Sequence, residues 1–404
     1  MKAEAKTETK PDIQVMTASE FKLKLRCGTP PTIEEIDVVT CGTFGIMSGT
    51  AAVFSFKAAE PRIFKKADKL TFNGIPAAIG PCPNESNGFV DSIVYGTAVS
   101  ESLKNYGGGH LFKDLVSGKS IQTLIQSGEK IIEKTLMLQD FNTARMIVTR
   151  GAFQNYSAFV NKDEKPVQTI FSVIGLNGNL SEASVSGCGE INPLQNDPSL
   201  KHHQSGTSVL LNGAKGIILG TGTRSTNEKP NISISADMYH MNPDLMGGFM
   251  TASGPECLTC VATAIPVEDS ETYDRLKVID EEISIPISQI QTRQPIGFGT
   301  YSDVWSESDR EIKILREKCK NCIDCTAILS CPVKALDASR ALLESCVSCL
   351  TCVFSCPNGV YAADGGSFEL NGLKIPIRLR QSDRNRGESA CLLLKHEIEA
   401  GRWF

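Results

Sequence analysis

Apolar residues come in short runs along this chain, and few of the runs hold a helical period for long. Thr17-Ala-Ser-Glu20 has the form of a capping box ahead of Phe21 to Leu25 and predicts a short opening helix. Ile36-Asp37-Val38-Val39-Thr40 is rich in β-branched residues and predicts a buried strand. It runs into Cys41-Gly42-Thr43-Phe44-Gly45, where the glycines predict a sharp turn that leaves Cys41 at the strand end. Asn-Gly pairs sit between apolar stretches at Asn73-Gly74, Asn212-Gly213 and Asn371-Gly372, and each predicts a hairpin. Val90 to Val99, Ser172 to Leu176 and Ile283 to Ile290 read as further strands, and Leu111 to Val116 and Ser270 to Ile279 as helices. Ser382 caps a last amphipathic helix whose apolar residues include Cys391, Leu392 and Leu394.

Short strands, hairpins and few long helices predict an α/β or α+β mixed-sheet domain ahead of the cysteine-rich segment. Residues 1–12 lack the apolar core of a signal peptide and read as a flexible tail. Gly, Ser and Thr crowd residues 291–308 and suggest a boundary there. The expected organisation is a catalytic domain over 13–308, a cysteine-rich domain over 309–364, and a C-terminal hairpin and helix over 365–404.

The cysteine-rich segment is an internal repeat. Cys319, Cys322 and Cys325 are followed by Cys331-Pro332, and Cys346, Cys349 and Cys352 by Cys356-Pro357. Two residues between successive cysteines let a tight turn aim three sulfurs into one cavity. The fourth thiolate, followed by proline, then comes from the other half of the repeat. This spacing predicts an α+β ferredoxin-like domain with two 4Fe–4S clusters. One cluster is held by Cys319, Cys322, Cys325 and Cys356, the other by Cys346, Cys349, Cys352 and Cys331. Five residues separate Cys325 from Cys331 against three between Cys352 and Cys356, which predicts a bulged loop in the first half.

A formal net charge of -5 without a basic surplus excludes a nucleic-acid partner. No apolar run approaches the roughly 20 residues of a spanning helix, so a soluble, cytoplasmic protein is expected. Of fifteen cysteines, the repeat leaves Cys27, Cys41, Cys82, Cys188, Cys257, Cys260 and Cys391. Cys82 lies in the stiff Gly80-Pro-Cys-Pro83 and Cys188 in Ser186-Gly-Cys-Gly-Glu190, where glycine leaves room for a substrate and Glu190 is a candidate proton donor. Gly107, Gly108 and Gly109 precede a helix and are either an anion or carboxylate nest or a plain turn, with His110 a candidate base. Arg224 follows Gly220-Thr-Gly-Thr and is a candidate carboxylate clamp. Cys257-Leu-Thr-Cys260 is a redox pair or half a metal site. Arg378, Arg380, Arg384 and Arg386 form either a contact for an acidic electron donor or a solvated face.

Five stretches together resemble one family. Asp37-Val-Val-Thr-Cys-Gly-Thr-Phe-Gly-Ile-Met-Ser-Gly49, Gly80-Pro-Cys-Pro-Asn84, Tyr106-Gly-Gly-Gly-His-Leu-Phe112, Ser186-Gly-Cys-Gly-Glu190 and Gly254-Pro-Glu-Cys257 are similar to the homocysteine-biosynthesis, L-aspartate semialdehyde sulfurtransferase-like family. With the fused repeat and Arg380-Gln-Ser-Asp-Arg384, the chain looks most like its methanogen branch. The resemblance implies reductive sulfur transfer to L-aspartate semialdehyde, with a small-molecule substrate, a sulfide or persulfide donor and a low-potential electron donor. A homo-oligomer is compatible with it. Cys41 or Cys188 is then the sulfur-carrying thiolate, Arg224 the clamp on the substrate carboxylate, and His110 or Glu190 the proton carrier. Some relatives place a cysteine just after the Thr-Phe-Gly turn, where this chain has Ser48, so the thiol has moved to Cys41 or the chemistry differs. Other readings are a sulfur-handling or electron-transfer protein for methanogenic cofactor assembly and a non-catalytic electron carrier. In a variant of the former, Cys41, Cys82 and Cys188 hold a third cluster.

Overall fold

The computed structural model describes residues 13–80, 85–306 and 308–403. The predicted tail and Cys82 lie outside them. The body is built on an 11-stranded sheet. Its order is Val15–Thr17, Val38–Ile46, Gly254–Pro266, Ser208–Leu211, Ala214–Thr221, Asn231–Asp237, Phe141–Phe153, Thr50–Lys57, Phe89–Tyr95 and Ala78–Ile79, with Gly247–Thr251 also paired to Gly254–Pro266. Val15–Thr17 runs parallel to its neighbour. A four-stranded sheet closes over one face of the body and traps an aromatic core in which Phe54, Phe56, Phe72, Phe112 and Phe141 are buried. The Phe54 and Phe141 rings lie 4.8 Å apart, a spacing at which aromatic pairs add to the burial of apolar area.

A mixed six-stranded sheet stands beside the first, ordered Pro295–Thr300, Ser284–Gln289, Ala158–Val160, Ala183–Val185, Leu373–Arg380 and Ser367–Leu370. Strand Leu373–Arg380, which follows the cysteine repeat, pairs in parallel with Ala183–Val185, so the chain returns to the body after the repeat. Helix Arg384–Glu399 then lies across Val38–Ile46 and Gly254–Pro266, where Thr40 Oγ1 donates to the Cys391 carbonyl at 3.0 Å.

Each Asn-Gly pair forms its hairpin, with both residues at positive φ as a two-residue turn requires. The opening helix, Ala18–Arg26, has the capping box on Thr17 and Glu20. Other expectations need correction. Val38–Ile46 passes straight through its glycines, leaving Cys41 in mid-strand. Gly42 and Gly45 serve close packing, since a Cβ on the first would strike the Gly387 carbonyl and one on the second Gln381 and Ser382. Ser172 to Leu176 is irregular apart from a single bridge from Leu176 to Val167. The Gly/Ser/Thr-rich stretch contains edge strand Pro295–Thr300. Asp383, rather than Ser382, caps the last helix.

Candidate functional site

The two sheets are stitched together by Gln381 and Ser382. The Gln381 N–H donates to the Val185 carbonyl at 2.9 Å and its carbonyl accepts from the Ile46 N–H at 3.3 Å; Ser382 Oγ accepts from the Gly187 N–H at 2.8 Å. At this seam lies a pocket of about 100 Å³, room for a molecule of few heavy atoms. Thr43, Gly45 to Ser48, Ser186-Gly187 and Gln381-Ser382 contribute to its wall, as does the crossing from the large sheet to the small one, with Arg150, Phe153, Asn155 and Tyr156.

Arg150 is the only charged side chain lining the pocket among the described residues. Behind it stands Glu256, 5% exposed, with Oε2 buried and unpartnered. Burial raises the Glu256 pKa, and a hydrogen bond to Ser48 and the charge of Arg150 offset this only in part. Sequence reasoning missed Arg150, Glu256 and the positive role of Ser48. Glu256 sat within a quoted motif, and Gly151 inside a long strand was a usable signal of a bulge beside Arg150.

The predicted residues fall elsewhere. Cys41 is buried, its thiol pushed up to about 12 by burial against the partial relief of Lys22. Cys188 is equally buried, raised to about 11 by burial, with Sγ 3.6 Å from the Phe44 carbonyl. At neutral pH both are protonated thiols, and neither lines the pocket. The third member of the suggested cluster site, Cys82, is outside the described residues.

Glu190 is an ion-pair anchor in this arrangement. Burial opposes its ionisation, but hydrogen bonds from Arg26 and the charge of Arg384 outweigh burial and hold it well below the usual carboxylate range. The pairs measure 2.6 Å to Arg26 and 2.8 Å to Arg384. A carboxylate so held does not keep a proton to donate at pH 7.

Gly107, Gly108 and Gly109 form no open nest. Their N–H groups go to His110 Nδ1 and the carbonyls of Ala98 and Gly96, and Cβ atoms there would strike Pro255, Tyr95 and Gly247. His110, depressed to about 4 by burial and then by Lys334, sits behind the Gly247–Thr251 strand, where a Cβ on Gly248 would meet its ring. Arg224 is exposed in a shallow groove with Ser199, Thr221 and Ser225, and does not line the pocket. Cys257 and Cys260 lie on one strand and join different cores, so they face opposite sides of the sheet and form no pair. The tail arginines do not form one solvated face, for Arg380 and Arg384 are buried, at 2% and 3% exposed, while Arg378 keeps a part-exposed side chain. Arg380 donates to the Asp309 carbonyl at 2.7 Å and Arg384 pairs with Glu190 and Asp280.

Within the repeat, Cys331 lies in electrostatic reach of Cys346, Cys349 and Cys352. Cys325, Cys352, Cys356 and Cys319 all act on Tyr361, and Asn358, two residues after Cys356, donates to Cys322 Sγ at 3.7 Å. Among the described residues no three His, Cys, Asp or Glu side chains close on a single-ion site. A cubane carries each thiolate on a separate iron and needs the four spread apart, so the grouping of neighbours is the relevant test. Cys331 stands with the second triplet, as the crossed grouping expects, while Cys352 also shares the surroundings of Tyr361 with the first.

A small pocket with one cation, walled by glycine-bearing segments distant in sequence, has the form of a small-molecule site. Residues 13–404 match the family described as homocysteine biosynthesis enzyme, sulfur-incorporation, and the chain belongs to that family. It is 44% identical over 392 residues to an uncharacterized protein of Methanothermobacter thermautotrophicus, covering 96% of this chain and 90% of the relative. A second uncharacterized protein, from Methanocaldococcus jannaschii, is 40% identical over 397 residues, 97% of this chain and 99% of that one. The L-aspartate semialdehyde sulfurtransferase of the same organism is 28% identical over 289 residues, 68% of this chain and 55% of its own length. No solved structure matches the chain. No helix among the described residues is long and apolar enough to cross a membrane.

Proposed function

We propose that this protein forms homocysteine by adding sulfide to L-aspartate semialdehyde in the pocket beside Ser48 and reducing the adduct. The aldehyde and hydrogen sulfide give a thioaldehyde and water, and two electrons with two protons convert the thioaldehyde to the thiol. Clusters of the 4Fe–4S type, when held by the two quartets, supply one-electron steps from a low-potential donor. The observation that carries this reading is the convergence of the family's motif stretches. Thr43, Gly45 to Ser48, Ser186-Gly187 and Gln381-Ser382 line the pocket, Glu256 backs Ser48, and Gly107 and Gly109 pack against Pro255 and Cys257 on the same strand.

The pocket holds no thiol among the described residues, so sulfur arrives as free sulfide, or as sulfide freed from a partner's persulfide by two further electrons and two protons from the same low-potential donor, with the partner's thiol as the other product. Burial favours the protonated form of Glu256, which relays a proton through Ser48 to the hydroxyl that leaves as water. Anaerobically purified, cluster-loaded protein should form homocysteine from aspartate semialdehyde, sulfide and a low-potential reductant. Glu256→Gln should slow it about 100-fold, while Cys188→Ala retains it. Absence of homocysteine from fully loaded protein defeats the proposal.

A further inference from the structure

The strand Phe141–Phe153 is irregular where it meets the pocket. Val148 pairs with Ile234 and Ala152 with Ile232, so four residues advance on one strand against two on its neighbour. Bulges of this kind re-aim side chains next to functional sites, and this one contains Arg150. Gly49 clears the space beside it, since a Cβ there would strike Thr149 Oγ1 and come within 3.4 Å of Arg150 Nε.

The guanidinium so placed is unspent. Nε of Arg150 is buried without a hydrogen-bond partner, as are those of Arg340, Arg378, Arg380, Arg384 and Arg386. Each of those five has another partner for its side chain, carbonyls for Arg340, Arg380 and Arg386 and carboxylates for Arg378 and Arg384. Among the described residues Arg150 has no ion pair and no side-chain hydrogen bond. Arg150 is half-buried and only its Nε is shut away from solvent, so the outer edge of the guanidinium is open to a ligand in the pocket. The other polar groups of the pocket are largely committed: Asn155 bonds both the N–H and the carbonyl of Gly189, Asn192 caps Leu194 and Gln195, and Ser382 holds Gly187. Ile46, Met47, Phe153, Ile170 and Phe171 supply apolar wall.

We propose that Arg150 is the anchor of this pocket, binding the carboxylate of a short aliphatic substrate through its free guanidinium edge while the apolar wall holds the chain. Glu256 feels the charge of Arg150 but makes no ion pair with it, which leaves the cation available. The assignment rests on the reading of the pocket as the substrate site, and it names the group that selects for an acid.

The test is calorimetric binding without sulfide or reductant, using L-homoserine and its carboxylate-free counterpart 3-aminopropan-1-ol. The native protein should bind the first and not the second. Arg150→Gln should weaken L-homoserine binding about 10- to 100-fold and Arg150→Lys less, as expected for loss of a charge-assisted hydrogen bond. If Arg150→Gln does not fold, Gly49→Ala, which crowds the guanidinium without removing it, should weaken binding in the same direction. Equal binding of both ligands, or L-homoserine binding unchanged in the folded variants, overturns the anchor. Homocysteine formation is scored separately. Arg150-dependent binding without homocysteine sustains the anchor and defeats the sulfur-addition reading, and turnover with unaltered KM in Arg150→Gln does the reverse.

Discussion

The two halves of the cysteine repeat are near copies in sequence and opposites in surroundings. In the first, Cys322 is exposed and neighbouring Ile323 fully so. In the second, Cys349 and Cys352 are buried, and Val347 and Cys349 share a core with Phe44, Phe249 and Cys260 of the body. The Cys349 carbonyl accepts from the Arg380 N–H at 3.2 Å, one residue from Gln381 in the pocket wall. The body breaks the symmetry of the repeat, giving an outer half open to solvent and an inner half packed on the body. Under the proposed function, electrons enter at the first and leave at the second.

The largest effect should come from removing one ligand on each side. Cys349→Ala should abolish homocysteine formation and lower the melting temperature, whereas Cys322→Ala should lose roughly half the iron with the body's melting intact. Equal destabilisation by the two would break the contrast. Cys331→Ala sharpens it. Although Cys331 belongs to the first half in sequence, its loss should erase the electron paramagnetic signal of the inner cluster and spare the outer one.

A smaller effect is expected at the joint between repeat and body. Arg386 donates to the Cys346 carbonyl at 2.8 Å and also to the carbonyls of Glu344 and Asp244. Arg386→Ala should cost about 2 kcal/mol in denaturant unfolding and speed hydrogen exchange in the inner half before the outer. The smallest effect is pH-dependent. The folded pKa of Glu190 is depressed, so its stabilisation is complete above its ordinary value of 4.5 and is lost as pH falls below it. Stability should therefore decline with acid below that value, and Arg384→Gln, which removes one of the two cations holding Glu190, should flatten the slope.

The features legible in the sequence were those set by local chemistry. Asn73-Gly74, Asn212-Gly213 and Asn371-Gly372 fix their own turns, and Thr17 with Glu20 fixes a helix start, because every partner lies within a few residues. The glycines were visible but their purpose was not. Gly42 reports that no side chain fits, and only the fold shows that the Gly387 carbonyl, far along the chain, is the reason. The cysteines misled similarly, since a glycine beside a thiol leaves equal room for a substrate or for a packed backbone. Arg150 was hidden because a bulge is a relation between two strands, and Arg380 and Arg384 because a run of like charges does not state what buries it.

The return of the chain after the repeat governs how this protein must be made. The strand Ala183–Val185 has one edge that only Leu373–Arg380 fills. Through most of synthesis the small sheet waits open, a template for wrong pairing. The segment that closes it follows the cysteine repeat directly, so the small sheet cannot be completed before the repeat has been made. A chain truncated after Thr300 would therefore carry all five family stretches and lack the strand, the stitch and the helix that turn them into a pocket.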